Sequence, residues 1–107
     1  MPSLSSQSGV EPFQVAGDDR PVPQISRFHG IVVTMYYRDH APPHFHAVSA
    51  EHEAQIVIVS GAVLHGWLPP NALRLVQLWC ALHEEELMGN WRRARNRQSL
   101  DTIEPLR

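Results

Sequence analysis

The chain has 107 residues, 43% hydrophobic and 19% charged, and its 9 Lys and Arg against 11 Asp and Glu leave a formal net charge of −2. That length fits one small domain with a modest core, and that charge excludes a general electrostatic attraction to nucleic acid. The single Cys80 excludes an intrachain disulfide and a zinc site built from several thiolates, and no apolar run approaches the roughly 18 residues of a membrane span.

Residues 1–22 are rich in Ser, Gly, Pro and Asp. They read as a disordered arm, because they cannot bury enough apolar surface to offset the entropy of ordering. They contain no basic stretch followed by an apolar one, so no secretory signal is expected and a cytoplasmic location is. One domain is expected over residues 23–107. Within it, residues 28–38, FHGIVVTMYYR, are dense in β-branched and aromatic side chains and predict one strand. Ile31, Val33, Met35 and Tyr37 would share one face, and Val32, Thr34 and Tyr36 the other. Both faces are largely apolar, so the strand is expected to be central. Residues 39–43 predict a turn, since Pro42-Pro43 fixes φ and biases the preceding backbone toward extended geometry. Strands are predicted over residues 44–49, 53–59 and 62–68, with Ser60-Gly61 as a tight hairpin turn. Pro69-Pro70 ends the last strand and opens a helix.

From Asn71 the apolar period becomes helical, with Leu73, Val76, Cys80, His83, Leu87 and Ala94 on one stripe. Leu75, Leu78, Trp79 and Leu82 widen that stripe in the first half, which should lie on the sheet. Gly89-Asn90 is the expected place for a bend, and the helix should fray near Asn96. The tail SLDTIEPLR reads as extended, with Leu100 and Ile103 docked on the body. The expected fold is α+β: a small antiparallel sheet of about four strands with one long C-terminal helix packed on one face.

The chemistry concentrates in residues 39–46, DHAPPHFH. On a strand, His44 and His46 project to one side and Phe45 to the other, under the helix. Two imidazoles so placed can chelate a divalent metal, with Asp39 or His40 as a third ligand from the turn. They can equally act as an acid–base pair or contact a phosphate, because histidine titrates near neutrality. Solvent-facing strand histidines that do neither are common, and Pro-Pro can simply shape a turn. A cupin-type metal motif does not fit: the flanking glycines are misplaced, a second histidine motif is missing, and the last third of the chain is helical. Cys80 and His83 share the core stripe, so packing explains them better than nucleophilic chemistry. The run Glu84, Glu85, Glu86 followed by Arg92, Arg93, Arg95 and Arg97 reads first as helix-stabilising charge, with a small phosphate- or acid-binding patch as the functional alternative. Trp79 is expected in the core, while Trp91 could be core or an interface anchor.

On this framework the segments MYYRDHAPPHFHA and LHEEELMGNW, with IEPL near the end, resemble a prokaryotic family described as domain of unknown function 4160, over about residues 23–106. Its members resemble accessory proteins of small bacterial gene pairs, so the resemblance implies a regulatory or toxin–antitoxin-like module with a small protein partner encoded nearby. Family members begin close to Met-Pro-x-Ile-Ser-Arg-Phe, which corresponds here to Val22 through Phe28. The expectation is therefore that translation starts at Val22. His29 stands where the family has an aromatic residue and is not counted among the functional histidines.

Two functional readings follow. The first is a cytoplasmic binding module whose contact surface is the histidine face, with Tyr36, Arg38, Trp91, Arg92 and Arg93 as binding residues and a small protein as partner, nucleic acid being reached directly or through it. The second is a metal- or histidine-dependent phosphodiesterase or nuclease, with His44 and His46 as ligands or as acid and base and Arg38 stabilising charge on phosphate. A metal-binding protein without catalysis stands between them, its candidate ligands Asp39, His40, His44 and His46.

Overall fold

The computed structural model describes residues 22–107; the expected arm and the question of the start site lie, Val22 apart, outside the described residues. Five strands, β1 (Gln24–Phe28), β2 (Ile31–Thr34), β3 (His44–Ser49), β4 (His52–Val57) and β5 (Val63–Gly66), form an antiparallel meander in chain order. Two helices follow, α1 (Pro70–Leu82) and α2 (Glu84–Arg95). The fold is α+β as expected, but with five strands in place of about four and two helices in place of one.

The extra strand, β1, lies ahead of the stretch read as one strand and shares only Phe28 with it, while β2 ends at Thr34, short of the expected Arg38. His29 and Gly30 both have positive φ, 51° and 77°, and join Phe28 to its partner Ile31 in a two-residue turn. This left-handed pair matches the twist of the flanking strands. β2 therefore lies inside the sheet but is not its centre; β3 is, paired with β2 and β4.

The registers Val33↔Ala47↔Ala54 and Phe45↔Ile56 put these side chains on one face, where all are buried. α1 lies on that face. Trp79 stands 5.2 Å from the Phe28 ring and 5.6 Å from Phe45, and Cys80 Sγ donates to the Ile58 carbonyl at 3.2 Å. Cys80 is thus a packing residue, its thiol pushed up to about 11 by burial and then by the charge of Glu84. Leu78 and Leu82 do not widen the buried stripe: both are exposed, one turn apart on the side of α1 away from Val76, Trp79 and Cys80.

The helical segment breaks at His83, φ −126°, and not at Gly89-Asn90. The three glutamates after it form the first turn of α2 and Arg92, Arg93 and Arg95 its last turn, each sign at the pole of the helix dipole that it stabilises. Asn90 is fully buried. Its amide donates to the Asp101 carbonyl at 2.8 Å and accepts from the Asp101 N–H at 2.9 Å, clamping the tail. That tail runs beside β1: the Ile103 N–H donates to the Ile25 carbonyl, and the Ser26 hydroxyl donates to the Ile103 carbonyl. Leu100 and Ile103 pack on the body as predicted, and the β1 edge is covered.

Candidate metal centre

Strand alternation sends His44 and His46 to the face opposite Phe45 and Ala47. The register extends this into a polar row across the sheet, Thr34↔His46↔Gln55↔His65. The two imidazoles stand side by side, ring centres 5.4 Å apart, as the spacing predicts. They are not on an open surface, however. The His44 side chain is 0% exposed and that of His46 7%. The segment between β2 and β3 folds back over them, so that Tyr36 stacks on His46 at 4.1 Å and Asp39 comes to both rings. From the other side Trp91 of α2 reaches His44, ring centres 5.5 Å apart, and Arg95 Nη1 donates to the Asp39 carbonyl at 3.3 Å. The expected contact surface is therefore a covered centre.

One oxygen organises it. Asp39 Oδ2 lies 3.0 Å from His44 Nε2 and 3.2 Å from His46 Nε2. The outward nitrogens have their own partners: His44 Nδ1 is 2.7 Å from the Pro42 carbonyl and His46 Nδ1 is 3.0 Å from Glu53 Oε2. The Ala41–Pro42 peptide bond is cis. A carbonyl only accepts, so His44 Nδ1 carries a proton. Its Nε2 then either carries a second proton toward Asp39 or offers a lone pair to a metal. His46 poses the same choice, with carboxylate oxygens at both nitrogens.

The electrostatics follow from burial set against these contacts. Burial alone would raise Asp39, but hydrogen bonds from His44, His46 and the His40 backbone N–H outweigh it and hold the carboxyl well below the usual carboxylate range. Burial likewise disfavours a charged His44, and the bonds to Asp39 and the Pro42 carbonyl overcome it and raise that ring. Tyr36 is raised by burial and then by the charges of Glu53 and Asp39.

Asp39, His44 and His46 each offer one ligand atom within 4.8 Å of the other two, the one such trio among the described residues. The two contacts at Asp39 Oδ2 match the roughly 3.3 Å that separates donors ~2.0–2.1 Å from a tetrahedral zinc ion. Each ring's other nitrogen faces a backbone carbonyl or a carboxylate, the partners that fix the tautomer of a metal-bound histidine. His40 does not join them: its side chain is 70% exposed and its Nε2 is 3.7 Å from the other oxygen, Asp39 Oδ1.

Tyr36 and Trp91, expected as binding residues, serve as the walls of the centre, and Trp91 is buried. Arg38 is exposed in the turn before Asp39, at φ 58°. Arg92 is exposed on α2, while Arg93 pairs with Asp101 at 3.4 Å and bonds Asn90 Oδ1 at 3.3 Å. The exposed Arg92 and the buried histidines therefore do not share one surface, while Arg95 reaches the ligand loop at the Asp39 carbonyl. Sequence reasoning missed Glu53 and Gln55. The signal was the short hairpin pairing Ser49 with His52, which carries the even positions of β3 onto the odd ones of β4.

The model of a family described as Domain of unknown function (DUF4160) matches residues 30–92. No curated protein and no solved structure matches the chain. Among the described residues, no helix is long and apolar enough to cross a membrane.

Proposed function

The chain belongs to the family described as Domain of unknown function (DUF4160), and we propose that it is a small metal-binding regulatory module in which Asp39, His44 and His46 hold one divalent transition-metal ion. The convergence of the two Nε2 atoms on one Asp39 oxygen, with both outward nitrogens already partnered, carries this reading. Two imidazoles and a carboxylate suit zinc, iron or manganese better than calcium or magnesium, which prefer oxygen donors. The near-complete burial of the rings favours a regulatory ion, while three protein ligands with an open fourth position are the arrangement that the enzymatic alternative would use. Bound metal would fix the ligand loop, β3 and α2 together and so shape the outer surface for a small protein partner encoded nearby. The toxin–antitoxin-like setting is supported by the family resemblance, and the cytoplasmic location by the lack of a signal-like stretch in the sequence.

Metal analysis of protein purified without a histidine tag tests the centre. The expected result is one equivalent of zinc, iron or manganese, or uptake of one added Zn²⁺, lost in His44→Ala. Absence of binding in the wild type overturns the reading. The enzymatic alternative, a metal- or histidine-dependent phosphodiesterase or nuclease centred on His44 and His46, draws support from the unbroken chain Asp39–His46–Glu53, which could pass a proton. Hydrolysis of bis(4-nitrophenyl) phosphate or single-stranded RNA that disappears in His46→Ala would favour it.

A further inference from the structure

Gln55 Oε1 is buried and has no hydrogen-bond partner, the single such side-chain atom among the described residues. A desolvated amide oxygen without a donor is costly, and folded proteins leave few of them unexplained. Its position gives the explanation. Gln55 is the direct cross-strand partner of His46 on the same face, where opposed Cβ atoms are roughly 4.5–5.5 Å apart. Along the same strand, Glu53 already reaches His46 Nδ1. Gln55 also lines a cleft of about 250 Å³ with Glu53, Ala54, His65 and Gly66.

We propose that Gln55 is a positioning residue of the Asp39–His44–His46 centre, its Oε1 accepting a hydrogen bond from a water molecule that completes the coordination of the metal. This deepens the metal reading and rests on it. Three protein ligands leave a fourth position for water, and a metal-bound water is a strong donor in need of a fixed acceptor. An amide oxygen is a neutral acceptor with no proton to give. No protein group donates to it, and a metal-bound water would.

The test uses the full chain without a tag and Zn²⁺ as the probe. Affinity is read by competition with a chromophoric chelator, and Tm with and without zinc. Gln55→Leu removes the acceptor at similar volume; Gln55→Glu restores one. Wild type and Gln55→Glu are expected to bind one Zn²⁺ tightly, and Gln55→Leu to bind one Zn²⁺ about 10–100-fold more weakly, the usual cost of losing an outer-shell partner. The metal-free Gln55→Leu protein should melt no lower than wild type, because no protein hydrogen bond is lost. Loading with Co²⁺ should give a visible spectrum that differs between wild type and Gln55→Leu. Unchanged zinc affinity in Gln55→Leu, with binding abolished in His44→Ala, overturns the role of Gln55 and leaves the metal centre standing. An equal drop in Tm with and without zinc also overturns it, by assigning Gln55 to packing. Failure of the wild type to bind zinc removes both proposals.

Discussion

Asp39 accepts from two imidazoles through one oxygen, and without metal its contact with His44 is an ion pair at pH values below the raised folded value of that ring. The two partners set opposite edges of the pH range in which that pair stabilises the protein. Asp39 is held below its ordinary 3.8, so its contribution is present above that value and is lost as pH falls through the lower folded value. His44 is raised above its ordinary 6.5, so its contribution is complete below 6.5 and is lost as pH rises through the raised folded value. The Tm of metal-free protein is therefore expected to be highest between about pH 4 and 6.5 and to fall on the alkaline side, with Asp39→Asn flattening the profile. Zinc competes for the same nitrogens, so its binding in that range should release protons. Calorimetric titration in buffers of different ionisation enthalpy measures the number. Glu53 acts one step further out, through His46 Nδ1, and Glu53→Gln should weaken zinc roughly 10-fold or more without removing it, read by chelator competition. Residue types and the i, i+2 spacing made His44, His46 and Asp39 legible in the sequence. Their burial was not, because it depends on Tyr36 and Trp91 arriving from segments whose path no local pattern specifies.

At the scale of elements, two glycines separate a position that tolerates a side chain from one that does not. Gly30 and Gly66 both hold positive φ, 77° and 84°. A Cβ on Gly30 would meet nothing within 4 Å, whereas one on Gly66 would lie 2.2 Å from the Glu53 carbonyl oxygen. Gly30→Ala should therefore cost about 1–2 kcal/mol, the penalty of the left-handed conformation, and Gly66→Ala distinctly more, because β5 must separate from β4 at Glu53. Chemical denaturation of the two variants checks the order, and the second should also weaken zinc through the displaced Glu53. The same local chemistry explains which elements the sequence revealed. Pro69-Pro70 marked the start of α1, and the period-2 stretches marked β3 and β4. The β1–β2 hairpin escaped because His29-Gly30 sits inside an unbroken run of strand-forming residues, which masked the turn signal of Gly30. The break at His83 escaped because the apolar stripe runs through it. The signal was the charge order, acidic triplet first and arginines last, which describes a complete second helix and not the end of one.

For the whole molecule, the centre ties the ligand loop and α2 to the middle of the sheet. It takes Asp39 from the loop after β2, His44 and His46 from the middle strand and, through His46, Glu53 from β4. α2 closes on it through Trp91 and Arg95. A small domain has a folding margin of only about 5–15 kcal/mol, and a ligand at 1,000 times its Kd adds about 4 kcal/mol. For a chain of this size saturating zinc should raise Tm by roughly 15 °C or more. That shift alone does not show where the ion acts, since any site would give it. Hydrogen exchange does, because local openings and global unfolding are separate processes. If the ion seats the ligand loop and α2, exchange in residues 35–43 and in the second half of α2 should slow on adding zinc by more than the change in global stability can account for. β5 stands at the open edge of the sheet, and its fast local exchange should stay as it was. Trp91→Ala should abolish the extra protection in α2 while zinc still binds through the three ligands. Uniform slowing along the chain would mean that the ion stabilises the fold without organising the surface a partner meets.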